Sequence, residues 1–153
     1  MALTLNPVGL FARVVIATIV AALTISAFAY VPKKDIKADR DGLTKFKFTG
    51  TNTRGKLDVA VVDQHLFQGF NGTGTNGDAK VEFEIRSAGL LDGWKIEGKI
   101  GDERIELKCK KKSTFSKEWE VTGKVGTREI KETVSSEIDI DPAVQAALIA
   151  FDA

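Results

Sequence analysis

The sequence has very few residues that bind metals through sulfur or imidazole nitrogen or that form disulfides. Its 153 residues include one cysteine, Cys109, and one histidine, His65. A single thiol cannot close a disulfide within the chain, so the cysteine count does not indicate the redox compartment. One cysteine and one histidine also nearly exclude a zinc site made of thiolates and imidazoles from one chain. We therefore expect neither a metal nor a cofactor.

The chain also lacks an excess of charge of either sign. Lysine and arginine number 22, aspartate and glutamate number 21, and the formal net charge at pH 7 is +1. Such a chain has no overall field that would attract nucleic acid, and we expect no nucleic-acid partner. Proline is scarce as well: Pro7, Pro32 and Pro142 all lie outside residues 44–138. A central region without proline is compatible with continuous β-sheet.

Charge is missing altogether from residues 14–31, VVIATIVAALTISAFAYV. These 18 residues are at the lower limit of length for a helix that crosses the hydrocarbon core of a bilayer. In lipid, backbone amides must be hydrogen-bonded within such a helix. We therefore predict that residues 1–31 form an N-terminal membrane anchor, a single transmembrane helix that contacts the bilayer through residues 14–31.

The same segment has an alternative interpretation as a secretory signal. Arg13 precedes the apolar run, and residues 27–29 form an A-x-A pattern, so that cleavage would follow Ala29. The signals for the side of the membrane on which the folded domain lies also conflict. Four basic residues within 33–40 would retain the folded domain in the cytoplasm by the positive-inside rule, whereas the signal-like end favours export. We expect an extracytoplasmic domain, anchored or, after cleavage, secreted.

The central region repeats a hairpin pattern. Residues 94–109, WKIEGKIGDERIELKC, align without a gap with residues 119–134 and with residues 46–61. Apolar and polar residues alternate in each copy, which predicts strands with one dry and one wet face. The pattern places nine residues on one common interior: Phe46, Phe48, Leu57, Val59, Phe83, Ile96, Ile105, Leu107 and Val121.

A fourth copy, residues 65–71 followed by residues 81–85, fits this frame only with an insertion between its halves. The insertion includes GTGTNG, residues 72–77, which matches the pattern G-x-G-x-x-G. A dinucleotide-binding motif of this kind needs a helix after the glycines. Here AKVEFEI, residues 79–85, alternates like a strand, so we predict a long hairpin loop and no nucleotide binding.

A glycine recurs on the dry face of the first strand of each copy, at Gly50, Gly69, Gly98 and Gly123. Glycine inside a strand marks a sharp bend, so we expect the sheet to curl. After a linker at residues 32–43, we predict for residues 44–138 an all-β domain, an up-and-down antiparallel meander of about eight strands in four hairpins. It would be closed or nearly closed into a small barrel, with a two-layer sandwich as the alternative.

The sequence pattern of residues 139–153 predicts a short amphipathic helix. Asp141 and Pro142 suit its first positions, and Val144, Leu148 and Phe151 form an apolar stripe. A helix of this length is not stable alone, so it must dock, either across one mouth of the barrel or against a partner. The three stripe residues are therefore candidate contacts with a partner or with lipid.

Other candidate functional residues are polar. Lys110, Lys111, Lys112 and Lys117 make a basic hairpin that could contact an acidic partner or anionic lipid, or could simply be solvated. Cys109 precedes these lysines, but the alternation turns its thiol inward.

Two further side chains are candidate interior polar groups. Glu132 takes the inward position of Leu107 and Val59, so it lies at a barrel lip, follows a bulge, or is buried and awaits a ligand. His65 follows Asp63 closely, but no serine nucleophile motif accompanies them.

With no catalytic constellation, the sequence favours a protein that is not an enzyme. The leading hypothesis is a single-pass accessory subunit whose barrel docks on a larger membrane complex and therefore has protein partners. The alternative is a carrier that holds a small apolar ligand in a barrel similar in architecture to the calycins. Gly93-Trp94 lacks the spacer of the lipocalin G-x-W motif. Large inward aromatic residues also argue against a carrier, because they would fill an eight-stranded interior.

Overall fold

The computed structural model describes residues 32–42, 44–64, 69–89, 91–135 and 140–152. These ranges contain nine strands and one helix. The elements are β1 (Asp35–Arg40), β2 (Lys45–Asn52), β3 (Gly55–Asp63), β4 (Gly69–Asn76), β5 (Ala79–Gly89), β6 (Gly93–Ile100), β7 (Glu103–Lys111), β8 (Glu118–Val125), β9 (Arg128–Ser135) and α1 (Ile140–Ile149). The predicted membrane segment, residues 14–31, lies outside the described residues.

The strands form one antiparallel sheet in which each strand pairs with the next along the chain, from β1 to β9. The predicted up-and-down meander is therefore confirmed. The sheet curls into a half-barrel. No pairing among the described residues joins β1 to β9, so the barrel that was predicted to be closed or nearly closed is a half-barrel in this part of the chain. All nine residues predicted to share one interior are buried there.

Strand β1 is one more strand than the sequence predicted. It lies within residues 32–43, where the sequence predicted a linker. Strand β1 pairs with β2 over its whole length, from Asp35 opposite Thr51 to Arg40 opposite Phe46. Its sequence, DIKADR, does not show the alternation typical of a strand, because only Ile36 is apolar enough to be buried and the other side chains are exposed. Charged residues are typical of an edge strand, since they discourage pairing with other chains.

The predicted long loop at GTGTNG is wrong, because these residues belong to β4 and its tight turn. Asn76 pairs with Ala79 across a turn at residues 77–78. Residues 70–85 thus align with residues 94–109 without any gap once Gly74, rather than Gly69, is matched with Gly98. Glycine, threonine and asparagine have weak strand propensity, and pairing with β3 and β5 overrides it.

The recurring glycines lie where neighbouring backbones approach closely. A Cβ atom on Gly50 would collide with the carbonyl oxygen of Asp35 in β1, and one on Gly123 would collide with that of Glu106 in β7. Both glycines also have positive φ angles, 135° and 144°, which other residues rarely adopt. Close approach of the neighbouring backbone therefore explains why glycine occupies these two positions.

Helix α1 lies in the concave side of the half-barrel and not across a mouth. It contacts β1, β5, β6, β7 and β9. Its side chains are buried nearly all round, which is typical of a helix enclosed in a core. Near the end of the chain, the Phe151 ring packs 6.0 Å from that of Phe48 and 5.9 Å from that of Phe83, between ring centroids.

This position corrects the proposed role of the apolar stripe. Val144, Leu148 and Phe151 are all buried under the chain's own sheet, so a partner or lipid cannot reach them. The physical reason is that an open sheet cannot cover its own concave face. The helix supplies the missing apolar surface from within the chain.

The meander gives the half-barrel two distinct ends. One end carries the β1–β2, β3–β4, β5–β6 and β7–β8 connections, and we call it the lysine end because Lys112 and Lys117 lie in the last of these. The other end carries the remaining connections. Helix α1 starts near the lysine end and runs towards this opposite end, where Asp152 contacts Lys33. We therefore call it the Asp152 end. Candidate functional features occur at both ends.

Candidate functional site

The lysine end exposes apolar side chains. Phe115, in the β7–β8 connection, is 98% exposed, and Leu91, in the β5–β6 connection, is 81% exposed. Val62, near the end of β3, is also exposed. Among the residues that the structure describes, these are the large hydrophobic side chains left exposed, and all three lie at this end.

Local hydrogen bonds order the loop that carries Phe115. The amide of Ser116 donates to the carbonyl oxygen of Ser113 at 3.1 Å, and the amide of Glu118 donates to Ser116 Oγ at 3.0 Å. Lys112 and Glu118 extend the β7–β8 pairing, with the Lys112 amide 3.0 Å from the Glu118 carbonyl oxygen. The loop therefore presents Phe115 outward and does not fold it back onto the sheet.

The four predicted lysines differ in their surroundings. Lys112 Nζ lies 2.9 Å from Glu118 Oε2, which makes an exposed ion pair. Lys111 Nζ lies 5.7 Å from the centre of the Trp119 ring, within range of a cation–π interaction. Lys110 and Lys117 are exposed. The structure thus brings the lysines together with Phe115, a residue that the sequence analysis did not select.

The two predicted interior polar groups have different outcomes. His65 lies outside the described residues. Glu132 is not a buried group awaiting a ligand: its side chain is 36% exposed, and its Oε1 lies 3.4 Å from Lys33 Nζ. The repeat placed Glu132 inward, but β9 is the last strand of an open sheet, and its neighbouring space is reached by Lys33.

The Cys109 thiol is buried, as the alternation predicted. Its Sγ lies 3.6 Å from the carbonyl oxygen of Pro142, to which the thiol can donate. Burial raises the pKa of the Cys109 thiol to about 12, because the thiolate would lose its hydration. The lysines that follow it in sequence do not activate it, since burial governs the shift and favours the neutral thiol.

The Asp152 end also contains the residues that precede β1. The amides of Lys33 and Lys34 each donate to a carboxylate oxygen of Asp152 at 2.8 Å. Arg128, the first residue of β9, donates to the carbonyl oxygens of Ala150 and Asp152 at 3.0 and 3.1 Å. The chain is therefore held immediately after residue 32, and the residues that follow α1 are clamped between β1 and β9.

Within the described residues there is no group of three histidine, cysteine, aspartate or glutamate side chains placed to hold a metal. In the same part of the chain, no helix combines the length and the apolar character needed to cross a membrane.

The exposed apolar residues were missed because a strand pattern says nothing about residues in turns. Leu91 and Phe115 lie in the short segments LLDG and STFS, where no alternation assigns a side chain to one face. The chain matches no family model, and no curated protein and no solved structure is significantly similar to it.

Proposed function

We propose that this protein is a non-enzymatic accessory subunit that binds an acidic protein partner through its lysine end. The observation that carries this proposal is the grouping of Phe115, Leu91 and Val62 at one end of the half-barrel, beside four lysines. Exposed apolar groups that cluster within a polar rim are typical of interaction surfaces.

The chemistry of this end suits a protein surface. A fully exposed phenylalanine ring gains no burial energy in the isolated protein, whereas aromatic residues are enriched in the buried centres of interfaces. The surrounding lysines would speed association with a surface of opposite charge and restrict the choice of partner. We therefore expect an apolar pocket for Phe115 within an acidic rim on the partner.

Attachment to a membrane is the second part of the proposal. The apolar segment 14–31 ends two residues before Lys33, whose amide is held by Asp152. An anchor at this point would place the Asp152 end against the bilayer. The lysine end would then lie one strand length away, roughly 25 Å for eight residues. This separation favours a protein partner for the lysines over the headgroups of the same membrane.

The packing disfavours a carrier of an apolar ligand, because α1 occupies the concave side of the sheet together with the rings of Phe48, Phe83 and Phe151. An apolar ligand would have to displace these groups from a packed interior, at a free-energy cost similar to that of large core substitutions.

Crosslinking in native membranes tests the interaction. Full-length protein with Leu91→Ser and Phe115→Ser should lose the crosslinked partner that the wild type retains. Lys110→Glu should weaken the same crosslink, whereas Lys56→Glu, an exposed lysine at the Asp152 end, serves as the matched control. A partner captured equally by all variants would contradict the proposed surface.

Intact-mass measurement tests the anchor separately. We expect a first residue of Met1 or Ala2, in the membrane fraction. A soluble protein that begins at Tyr30 would instead support secretion after cleavage and would remove the membrane part of the proposal. The partner crosslink would still decide the role of the lysine end.

A further inference from the structure

A cavity of about 170 Å³ lies at the Asp152 end, where the hairpin turns meet the end of the helix. One wall is the backbone of Ala150 and Phe151, and another is Val125. The polar side chains that line it are Asn52, Arg54, Asn76, Glu103, Thr127 and Arg128. One water molecule needs about 10–15 Å³ of such space, so the cavity can hold a small molecule.

Asn76 has an unexplained polar atom in this cavity. The residue is 1% exposed, and its Oδ1 is buried without a hydrogen-bond partner. The equivalent positions of two other hairpins carry the buried apolar residues Ile100 and Val125. In the hairpin of β2 and β3 the position carries Asn52, whose Nδ2 donates to the Phe151 carbonyl oxygen and whose Oδ1 accepts from the Arg54 amide.

This comparison suggests a reason for Asn76. A buried acceptor without a partner destabilises a fold, and the repeat shows that an apolar residue fits the position. An acceptor kept at this position despite that effect is explained if a ligand donates a hydrogen bond to it. The chemistry of the cavity must then supply the rest of the recognition.

A partly exposed ion pair borders the cavity. Arg54 Nη2 lies 2.5 Å from Glu103 Oε2, joining the β2–β3 turn to the start of β7. Exposed ion pairs contribute little to stability, so these two side chains can separate at small cost. The pair therefore permits a ligand to enter without unfolding of the sheet.

The charges select the ligand class. Two guanidinium groups, those of Arg54 and Arg128, and one carboxylate, that of Glu103, line the cavity, which leaves an excess of one positive charge. Arginine binds carboxylates with paired, charge-assisted hydrogen bonds. We propose that the cavity binds a small hydroxycarboxylate. Its carboxylate accepts hydrogen bonds from Arg54, and its hydroxyl group donates to Asn76 Oδ1.

Three probes of similar size test this assignment on the full-length protein. Lactate carries both groups, propanoate lacks the hydroxyl donor, and 1,2-propanediol lacks the carboxylate. We expect lactate alone to raise the melting temperature saturably and to shift the NMR signals of the Asn76 side-chain amide and of Gly77. No saturable shift with lactate would overturn the proposal and would leave a cavity that holds only water.

Substitutions separate this site from binding elsewhere. Asn76→Val should raise the melting temperature of the free protein, because it removes the unpaired acceptor, and should abolish the response to lactate. Thr75→Val, on the exposed side of the same strand, is the matched control and should keep the response. A response that persists in Asn76→Val would place the binding outside this cavity.

Arg54→Gln provides a second test that leaves the buried position intact. Loss of a charge-assisted hydrogen bond should weaken lactate binding roughly tenfold or more. Unchanged affinity in this variant would contradict the assigned contact with the carboxylate. None of these results depends on the partner of the lysine end, because the cavity lies at the opposite end of the half-barrel.

Discussion

The ring of Phe83 in β5 covers Gly72 in β4, directly opposite it in the sheet. A Cβ atom added to Gly72 would collide with the end of this ring. At the equivalent positions in the next hairpin, Ile96 and Leu107 face each other. One large residue opposite a glycine thus fills the space that two medium-sized residues fill elsewhere.

This relationship predicts a compensating pair of substitutions. Gly72→Ile alone should lower the free energy of unfolding by about 1–3 kcal/mol, because the added side chain overpacks the core. Phe83→Leu alone should also destabilise, because it leaves a cavity. The double variant recreates the Ile96–Leu107 pair and should be more stable than the sum of the two single effects predicts.

Urea unfolding of the four proteins measures the coupling. Residues in contact commonly show interaction energies of about 0.5–3 kcal/mol in such a cycle. Strictly additive effects would mean that the two positions do not compete for the same space, in contradiction to the assigned register of β4 and β5.

The carboxylate of Asp152 holds the backbone that precedes β1, and removal of the carboxylate should release this backbone. Asp152→Ala leaves the amides of Lys33 and Lys34 without their acceptor, so we expect a loss of about 1.5–3 kcal/mol, as for hydrogen bonds to charged groups. Hydrogen exchange at these two amides should accelerate. Asp78→Ala, in an exposed turn, is the control. Unchanged protection of Lys33 and Lys34 would contradict the clamp.

Aromatic residues at the two kinds of position should respond differently to truncation. Trp94 is buried, and Trp94→Ala should destabilise by about 3–5 kcal/mol because it empties part of the core. Phe115→Ala removes a ring that contacts almost nothing and should change stability by less than about 0.5 kcal/mol. Thermal unfolding of both variants checks the assigned faces. Equal effects would show that one of the two is misplaced.

The buried thiol predicts a loss of stability at alkaline pH. In the folded chain the pKa of Cys109 is raised from 9.0 to about 12 by burial. The folded chain favours the neutral thiol. The contribution of the thiol to the free energy of unfolding is therefore complete below pH 9 and is lost as the pH rises from 9 towards 12. In this window the free energy of unfolding falls with a slope that approaches about 1.4 kcal/mol per pH unit.

Comparison with Cys109→Ala isolates this contribution, because every other titratable group is the same in the two proteins. The variant should be less stable than the wild type at pH 7, and the gap should narrow between pH 9 and 12. A gap that stays constant would mean that the thiol ionises alike in the folded and unfolded chains.

Much of the sheet could be predicted because three hairpins alternate strongly. In residues 46–61, 94–109 and 119–134 apolar side chains recur on the buried face of each strand, and all three segments correspond to paired strands. The sequence pattern did not predict β1 or most of β4, for two different reasons. Strand β1 is an edge whose outer positions tolerate charge, and β4 uses glycine and threonine, whose extended conformation depends on the strands at its sides.

The candidate sites were less accessible to prediction. The lysines of the β7–β8 hairpin were predicted as a basic group, but a strand pattern does not predict the exposure of Phe115 and Leu91, which lie in two separate connections. The sequence places Asn76 in a predicted loop, and a loop pattern does not predict its burial. The cavity around it is formed by turns and by residues beyond α1, with sequence separations that no local pattern spans.

The sequence alone determined the class of fold, the succession of hairpins and the face that each alternating strand buries, because these follow from a period of two residues within one strand. Only the tertiary structure decided that the sheet stays open and that the C-terminal helix lies in its concave side. It also decided that Asn76 remains buried without a partner. The physical reason is that closure, helix docking and hydrogen-bond satisfaction depend on which distant surfaces meet, and the free energy of those contacts is not encoded in any local window of the chain.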